Sequence, residues 1–413
     1  MESALEAREH LDELTSLVDT YGLPVLGSEV VTLRDMNPTY LVGGGKAEEI
    51  LRTCQALDAE IIVFDDDLTP SQQRNWERLT KLAVIDRREV ILGIFADRAQ
   101  TREARIQVEL ARAEYSLPRL TRAWTHLERQ RGGGGMRGGA GEAQLEVDRR
   151  LVRRQIDRLK RDLKHVRQVR ATQRRARGAM PVPHAAIVGY TNAGKSSLLN
   201  ALTGAGVLQE DKLFATLDPT TRRIVLPNNQ PLLLSDTVGF IRKLPHTLVE
   251  AFKATLEEAQ TAAFLIHVVD ASHPGALEQR RATETVLEEL KSKDKPTLLV
   301  LNKIDQVEDR TALQSLADGY DYVVATSTIT GEGLTDLVQM LEELAGHDIM
   351  WVRLQIPPQR QDVVSLIHRE GTIERQMHLA DGSTWMEASL HKKLQGKVAE
   401  FMTLDVPEPA EPV

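Results

Sequence analysis

A glycine-rich segment with one lysine has the spacing of a phosphate-binding loop. Residues 189–196 read Gly-Tyr-Thr-Asn-Ala-Gly-Lys-Ser and fit the pattern G-x-x-x-x-G-K-[ST]. The segment follows an apolar run and opens a helical pattern, the context in which backbone N–H groups turn inward around phosphates. Lys195 would reach the β and γ oxygens, and Ser196 would offer a hydroxyl to Mg²⁺. We predict phosphate binding by the whole loop: Gly189, Tyr190, Thr191, Asn192, Ala193, Gly194, Lys195 and Ser196.

A second motif supplies a carboxylate and a glycine after the next apolar strand. It reads Asp-Thr-Val-Gly at residues 236–239. Asp236 would lie near Mg²⁺, and the N–H of Gly239 would face the γ-phosphate. A threonine in the preceding loop would complete the Mg²⁺ coordination only with the γ-phosphate present, which would make that loop an order–disorder switch. Spacing alone does not choose among Thr216, Thr220 and Thr221.

The segment Asn-Lys-Ile-Asp at residues 302–305 predicts which base is bound. Asp305 can accept hydrogen bonds from the ring N–H and the exocyclic amine of guanine, whereas adenine has neither donor there. Leaving the carboxylate desolvated and unpaired would disfavour adenine by about 1–3 kcal/mol or more. One loop later, a backbone N–H of residues 326–328 could reach the guanine carbonyl. The predicted ligands are GTP and GDP, with the base contacted by Asn302, Lys303, Ile304 and Asp305.

Strands and helices alternate around these motifs from residue 181 to residue 346. Apolar runs lie at residues 185–188, 232–234, 264–269, 297–301 and 322–325, and helical patterns at 196–202, 245–260, 276–290 and 334–344. The alternation predicts an α/β fold with a doubly wound parallel sheet, which binds ligands at the carboxyl ends of its strands. Residues 223–226 predict one further, antiparallel edge strand.

The regions at the two ends of the chain predict smaller domains. Residues 1–100 predict an α/β domain with a partly parallel sheet, with strands at 30–33 and 60–64 and a helix at 46–57. The acidic residues 65–67 predict a turn before a helix N-cap, because the rest of a calcium loop is missing. Residues 347–405 predict an α+β domain with strand-like segments at 350–356 and 362–368, a hairpin turn at Asp381-Gly382 and a helix from His391. Residues 406–413, rich in Pro and Glu, predict a disordered tail.

Residues 101–180 predict a basic helical hairpin with a glycine-rich tip. Helices are expected over residues 101–115 and 142–177, and seven of the ten residues 132–141 are glycine. Apolar residues recur in the second helix as in a coiled coil, at Leu145, Val152, Ile156, Leu159, Leu163 and Val166. Residues 148–178 hold 13 lysines and arginines against three aspartates, a local charge of +10 in a chain of net charge −8. The charge indicates an anion-binding surface, with a solvated helix face as the alternative interpretation. The glycine-rich segment indicates a binding loop, with a flexible linker as the alternative.

Composition excludes several classes of protein for this 413-residue chain. Its single cysteine, Cys54, excludes an internal disulfide framework and a thiolate-rich metal site. The apolar run at residues 262–269 is too short to span a bilayer, and the N-terminus lacks the pattern of a secretory signal. A reducing cytoplasm is the expected compartment.

Taken together, the motifs resemble those of the HflX family of ribosome-associated GTPases. The similarity extends to residues 63–75, 86–98 and 124–129 and to the glycine-rich segment ahead of Gln144. It covers about residues 20–345 clearly and the C-terminal domain more loosely. Ala140, Ala143 and Thr328 differ from the family's usual proline, threonine and alanine. Phe240, directly after Gly239, matches the family.

The resemblance implies site roles that the spacing leaves open. Thr216 would be the switch threonine that binds Mg²⁺, within a loop of Phe214, Ala215, Thr216, Leu217 and Asp218. The γ-phosphate side would be contacted by Asp236, Thr237, Val238 and Gly239, and the last guanine loop would be Ser327, Thr328 and Ile329. Lys195, Thr216 and Gly239 would be the catalytic groups, and Ser196 and Thr216 the Mg²⁺ ligands.

The resemblance also implies a cellular role. GTP hydrolysis would be stimulated by the large ribosomal subunit, with the hairpin reaching its RNA near the peptidyl-transferase centre, in rescue or splitting of stalled ribosomes under stress. A cytoplasmic monomer is expected, with peripheral membrane association left open.

Other functions fit less of the sequence. A GTPase of transfer-RNA modification would commonly have a cysteine near its C-terminus, but the only cysteine is Cys54. An assembly protein with a vestigial nucleotide site would not need Lys195 and Asp236 intact. Two questions stay open: whether Asn192 helps to hold K⁺ or only caps the loop, and whether the N-terminal domain uses ATP.

Overall fold

The N-terminal region is built around a two-stranded parallel sheet. The computed structural model describes residues 4–33, 35–122, 139–177, 182–204, 213–214, 216–228, 230–243, 258–346 and 349–403. The first elements are α1 (Ala4–Thr20), α2 (Gly44–Ala56), β1 (Ile61–Phe64), α3 (Pro70–Thr80), β2 (Ala83–Asp86) and α4 (Arg87–Arg98). Strands β1 and β2 pair in parallel, which confirms the predicted α/β character of this region.

Helix α3 begins after the acidic turn, as predicted. The Thr69 side chain accepts the N–H of Gln72, the Gln72 side chain accepts the N–H of Thr69, and Pro70 starts the helix. The predicted strand at residues 30–33 is wrong, because this run is irregular and pairs with no strand among the described residues. Val31 and Leu33 pack on the cluster around Trp76. Side-chain contacts therefore hold this segment in place without backbone hydrogen bonds to any strand that the structure describes.

Two long helices pack against each other along an apolar seam. Helix α5 (Arg102–Ser116) continues into a short 3-10 turn (Leu117–Arg122), and helix α6 spans Gly139–Arg177. The seam consists of Ile106, Leu110, Ala113, Ile156, Leu159 and Leu163. This confirms the predicted helix pairing, although α6 begins at Gly139 rather than at residue 142. The rest of the glycine-rich tip, residues 132–138, lies outside the described residues.

The central region is a six-stranded sheet with helices on both faces. Its strands are β3 (His184–Gly189), β4 (Thr220–Val225), β5 (Pro231–Asp236), β6 (Phe264–Asp270), β7 (Thr297–Asn302) and β8 (Tyr322–Ala325), in the order β4-β5-β3-β6-β7-β8. Only β4 is antiparallel to its neighbour, so the doubly wound sheet and its edge strand are confirmed. The helices are α7 (Lys195–Thr203), α8 (Ala276–Glu289), α9 (Ala312–Ala317) and α10 (Leu334–Gly346). Most of the helix predicted at 245–260 lies outside the described residues.

The C-terminal region is a three-stranded antiparallel sheet covered by a helix. It contains β9 (Ile349–Ile356), α11 (Gln361–Glu370), β10 (Gly371–His378), β11 (Thr384–His391) and a short α12 (Gln395–Val398). The strand-like segment expected at 362–368 is instead α11, because Val363, Val364 and Ile367 fall on one helical face and are buried against the sheet. The helix expected from His391 is also wrong, since His391 ends β11 and only short helical turns follow. The predicted turn at Asp381-Gly382 is confirmed, with Gly382 at φ 81°.

The N-terminal region and the central sheet share one hydrophobic core. Leu17 of α1 and Phe95 of α4 belong to the same buried cluster as Phe214, Leu217 and Phe240 of the central region. The loops that follow β5 and precede β4 are thus packed directly against the N-terminal helices. This arrangement brings the predicted nucleotide site to the boundary between the two regions.

Candidate nucleotide-binding site

The predicted phosphate-binding loop connects β3 to α7 and depends on two glycines. Gly189, at φ 150°, could not carry a Cβ, which would lie 2.2 Å from the carbonyl oxygen of Val268. Gly194 is the N-cap of α7 at φ 93°, and a Cβ there would lie 2.2 Å from Nδ2 of Asn302. The loop therefore presents backbone N–H groups at a helix N-terminus, which favours anions.

The segment after β5 is hydrogen-bonded to this loop. The N–H of Thr191 donates to the carbonyl of Phe240 at 2.7 Å, and the N–H of Phe240 donates to the carbonyl of Gly189 at 3.0 Å. A Cβ on Gly239 would lie 2.9 Å from Nζ of Lys195. The structure thus brings Gly239 beside Lys195, where both could face one phosphate.

Three oxygen-bearing side chains meet behind the loop. The hydroxyls of Ser196 and Thr216 donate to Oδ2 of Asp236 at 2.7 and 2.9 Å and lie 2.9 Å from each other. Of the three candidate threonines, Thr216 is the one in this cluster, whereas Thr220 lies in β4 and Thr221 bonds to Ser235 at 2.7 Å. The structure therefore favours Thr216 by distance, which spacing could not do.

This cluster fits a hard divalent cation. Hydroxyl and carboxylate oxygens are the ligand type that Mg²⁺ prefers. Oδ1 of Asp236 is buried and has no hydrogen-bond partner among the described residues, and an unpaired buried carboxylate oxygen is costly without a cation or water. Nor does the described part of the chain bring three His, Cys, Asp or Glu side chains together as an alternative metal site.

Burial shifts the two charged groups of the site toward their neutral forms. Burial lowers the pKa of Lys195 to about 8, with Asp236 opposing the shift, and the ammonium donates to the carbonyl of Tyr190 at 2.7 Å. Burial also raises the pKa of Asp236, against Lys195 and the two hydroxyls. Each group would regain its charged form with a phosphate and a cation present.

The predicted guanine side is assembled at the ends of β7 and β8. Asn302 is fully buried and donates through Nδ2 to the carbonyl of Ala193 at 3.0 Å, which joins the base side to the phosphate loop. Lys303 pairs with Asp270 at 2.6 Å, and the buried Ile304 donates its N–H to the carbonyl of Thr326 at 3.2 Å. Asp305 is exposed and is free to meet a ligand.

The last predicted loop is held by its own serine. Oγ of Ser327 accepts the N–H groups of Ile329 and Thr330 at 3.3 and 3.1 Å. Thr328, between Ser327 and Ile329 in the chain, is half-buried, while Ile329 is 76% exposed. The loop conformation is thus fixed by a buried side chain while its middle faces outward beside the exposed Asp305 segment.

Several residues predicted for the nucleotide site have side chains that lie in the sheet, in the core or on the surface. Thr237 donates through Oγ1 to the carbonyl of Ile187 at 2.7 Å within the sheet, and Phe214, Leu217 and Val238 belong to the core shared with the N-terminal region. Ala215 lies outside the described residues. Asn192 is exposed at φ 60°, and its side chain makes no hydrogen bond within the described part of the loop; its predicted contact with K⁺ stays a prediction.

Sequence reasoning missed three residues of the N-terminal region that hydrogen-bond to the loops of the candidate site: Glu13, Gln100 and Thr101. The phenol of Tyr190 donates to Oε1 of Glu13 at 2.5 Å and accepts the N–H of Arg242 at 2.8 Å. The carboxylate of Asp218 accepts hydrogen bonds from Gln100 and Thr101. Because each pair is more than a hundred positions apart in the chain, no local pattern signals it.

Comparison with known protein families covers almost the whole chain. Residues 8–96 match the family described as GTP-binding GTPase N-terminal, and residues 98–177 match the GTP-binding GTPase Middle Region. Residues 184–303 match the 50S ribosome-binding GTPase family, and residues 312–401 match the HflX C-terminal domain. Among the described residues, no helix is both long enough and apolar enough to cross a membrane.

Individual relatives extend this result. The chain is 50% identical over 408 residues to a GTPase HflX of Akkermansia muciniphila, covering 96% of this chain and 93% of the relative. It is 44% identical over 383 residues to GTPase HflX of Escherichia coli K12, covering 92% and 90%. Among solved structures, a GTP-binding protein of Sulfolobus solfataricus in complex with GDP is 26% identical, with a TM-score of 0.45 and coverage of 82% and 96%. From its sequence relatives, the chain belongs to the HflX family and is a GTPase.

Proposed function

We propose that this GTPase binds the large ribosomal subunit and its RNA, and that GTP hydrolysis serves the rescue or splitting of stalled ribosomes under stress. The match of residues 184–303 to the 50S ribosome-binding GTPases supports the ribosome as partner. The exposed arginines of α6 support contact with RNA, because clustered cations bind phosphates through counterion release. The protein would act in the cytoplasm, where its partner is found, and as a monomer.

The proposed dependence on a partner rests on one observation. Phe240 directly follows Gly239 and is 1% exposed in the core shared with the N-terminal region. It has no polar side-chain atom and cannot orient an attacking water, as glutamine does in many switch GTPases. Intrinsic hydrolysis is therefore expected to be slow, and to accelerate when the ribosome orders the switch loops or supplies the missing group.

The residues of the site divide binding and positioning between them. Backbone N–H groups of residues 189–196 would hold the β-phosphate, while Lys195 and the N–H of Gly239 would hold the γ-phosphate. Ser196 and Thr216 would hold Mg²⁺, with Asp236 orienting both hydroxyls. The bound ion would offset negative charge between the phosphates.

We propose K⁺ as a second cation, held with the help of Asn192. Asn192 stands at the fourth position of the phosphate loop and is exposed without a hydrogen-bond partner within the described part of the chain. A monovalent cation there would add positive charge between the phosphates, as an arginine finger does. Intrinsic hydrolysis should be faster in KCl than in NaCl, and Asn192→Ala should remove the difference; equal rates in the two salts would exclude this role.

Ribosome binding tests the proposed function directly. We expect co-sedimentation with large subunits in the presence of a non-hydrolysable GTP analogue, and less with GDP. GTP turnover should rise when large subunits are added. Turnover that is fast in the isolated protein and unaffected by ribosomes would contradict the proposal.

Charge reversal on α6 tests the RNA-contacting face. Arg153, Arg154 and Arg158 are all exposed. Reversing the three to glutamate should weaken ribosome binding and flatten its salt dependence, since each lost phosphate contact lowers the slope by about one. The matched control reverses three exposed cations on other elements: Arg281, Lys291 and Lys397. Equal affinity and salt slope in the α6 variant would show that these arginines only solvate the hairpin.

A further inference from the structure

The loop that contains Thr216 is attached to the N-terminal region through a carboxylate. Oδ2 of Asp218 accepts the N–H groups of Gln100 and Thr101, each at 3.0 Å, and Oδ1 accepts the hydroxyl of Thr101 at 2.5 Å. Thr101 is the N-cap of α5, and its hydroxyl also accepts the N–H of Ala104 at 3.1 Å. Asp218 therefore adds a negative charge and two acceptor oxygens at the positive end of a helix.

The same loop is anchored on the other side of Thr216. Phe214 is 3% exposed and meets the ring of Phe95 in α4 edge to face, with centroids 4.6 Å apart. Its φ of 57° lies in the left-handed region, which a bulky residue adopts only when its surroundings hold it there. Leu217, between Thr216 and Asp218, is 2% exposed in the same core.

Thr216 thus lies between two anchors that both belong to the N-terminal region. Its hydroxyl bonds to Asp236 at 2.9 Å, whereas Phe214 and Asp218 are fixed to α4 and to the start of α5. If Thr216 moved out of the cation site, the contacts of Phe214 with α4 and of Asp218 with the start of α5 would be strained. Keeping the anchors in place would hold Thr216 where it can meet a cation.

We propose that Asp218 is a positioning residue: by capping α5 it holds Thr216 at the nucleotide site, so that nucleotide state and the position of the helical hairpin are linked. This rests on the proposed role of Thr216 in binding the nucleotide's metal ion. Asp218 acts through Thr101 and does not touch the nucleotide, in contrast to the role that the family resemblance implies for it.

The link extends beyond the helix cap. Helix α5 packs on α6 along the apolar seam, and Glu114 of α5 pairs with Lys160 of α6 at 2.8 Å. If a bound partner displaced the hairpin, the contacts at the N-cap of α5 would therefore change, and so would the position of the loop that contains Thr216. By thermodynamic reciprocity, a partner that stabilises the cap would also raise the affinity for the GTP form.

A double-mutant cycle tests the proposal in the full chain. The variants are Asp218→Ala, Thr101→Val and the two combined, and the measured quantities are the Kd values for GDP and for a non-hydrolysable GTP analogue, both with Mg²⁺. Each single variant should raise the Kd for the analogue by roughly 5- to 20-fold, because only the nucleotide with a γ-phosphate uses Thr216. The Kd for GDP should change less than twofold. The double variant should bind the analogue no more weakly than Asp218→Ala alone, since that change already removes all three hydrogen bonds, including the one from the Thr101 hydroxyl.

Two controls separate positioning from a loss of stability. Thr101→Ser keeps the hydroxyl and should restore wild-type selectivity for the analogue. Thr69→Val removes the equivalent N-cap bond from α3, so it should lower thermal stability without changing the ratio of the two Kd values.

Each contrary result has its own meaning. If Asp218→Ala weakens binding of the analogue while Thr101→Val does not, the Thr101 hydroxyl does not carry the effect, and the proposal that Asp218 acts through Thr101 is wrong. If the fold-changes in Kd of the two single variants multiply in the double variant, Asp218 and Thr101 act independently. Their contact then does not link the nucleotide site to the hairpin. Wild-type protein that binds the nucleotides normally but ignores ribosomes would overturn the proposed function and leave this inference standing.

Discussion

At the scale of single residues, the buried ammonium of Lys195 predicts a pH dependence of nucleotide binding. Burial lowers its pKa to about 8, and phosphates would stabilise the charged form. Below pH 8 the group is already protonated, so affinity should vary little between pH 7 and 7.5. Above pH 8, binding must take up a proton, and GDP affinity should fall by up to about tenfold per pH unit.

Isothermal titration of GDP from pH 7 to pH 9, in buffers of different ionisation enthalpy, would measure both the affinity and the proton uptake. Lys195→Arg is the matched control, because a guanidinium stays charged over this range. Its weaker binding should show no comparable fall above pH 8. A wild-type affinity that stays flat up to pH 9 would mean that Lys195 keeps its ordinary pKa in the protein.

Asp305, the predicted base reader, is a second residue whose role can be tested alone. Asp305→Asn should weaken GTP binding by about 10- to 100-fold, because a charge-assisted hydrogen bond is lost. The same change should improve binding of xanthosine triphosphate, since the amide can donate to the carbonyl that replaces the guanine amine. Competition between the two nucleotides measures the shift, and Asp321→Asn, at another exposed acid, is the control. Unchanged GTP affinity in Asp305→Asn would show that another group reads the base.

At the scale of elements, long buried strands were predictable and short amphipathic runs were not. Strands β3, β6 and β7 are buried along nearly their whole length, which produces the continuous apolar runs typical of parallel sheets. Residues 362–368 also alternate in part, but the adjacent pair Val363 and Val364 fits a helical face. Residues 30–33 have strand composition, yet composition cannot supply a pairing partner.

Spacing also predicted that the three motifs follow the ends of strands, as they do at β3, β5 and β7, but it could not rank the threonines. Thr216, Thr220 and Thr221 lie within six positions of each other, and all could reach the same side of the site from an unknown loop path. The path is set by Phe214 and Leu217, which are buried against the N-terminal helices. The choice therefore depends on packing between regions distant in sequence, and this information is absent from any local pattern.

The phosphate loop is linked to α1 by the hydrogen bond between Tyr190 and Glu13, and we predict that this link stabilises the fold. The phenol of Tyr190 is buried, donates to Glu13 at 2.5 Å and accepts the N–H of Arg242 at 2.8 Å. Tyr190→Phe leaves that N–H without its phenol partner, and should lower the free energy of unfolding by about 1–3 kcal/mol. The contact proposed between Tyr190 and the nucleotide is made by its backbone N–H and not by its phenol, so GDP affinity should change little.

Denaturant unfolding with and without GDP would measure both quantities. Tyr322→Phe, at a half-buried tyrosine of the sheet's other edge, is a control for loss of a phenol outside the loop. If Tyr190→Phe is as stable as wild type, the contact with Glu13 does not hold the loop to the N-terminal region.

At the scale of the whole molecule, a continuous set of contacts joins the candidate nucleotide site to the basic helical hairpin. The 39 residues of α6 give an arm about 58 Å long at 1.5 Å per residue. Its base is joined to the loop that contains Thr216 through α5 and Asp218, and its N-terminal end leads toward the glycine-rich tip. A long arm of this kind suits a deep RNA cavity better than a flat protein surface.

This arrangement predicts that the tip can be removed without harming the nucleotide site. Deleting residues 132–138 leaves α5, α6 and their apolar seam in place, so GTP and GDP affinities should stay within twofold of wild type. If the proposed function holds, ribosome-stimulated hydrolysis should be lost, because the tip would supply Arg137, Met136 and a backbone without bulky side chains for contact with RNA. A second variant that replaces the seven residues with glycine and serine keeps the length while removing both side chains. If only the deletion variant loses ribosome-stimulated hydrolysis, the length of the tip is what matters. If both variants lose it, the side chains of Met136 and Arg137 contact the partner. Full stimulation in the deletion variant would show that the tip is a linker, and that the ribosome is recognised elsewhere on the protein.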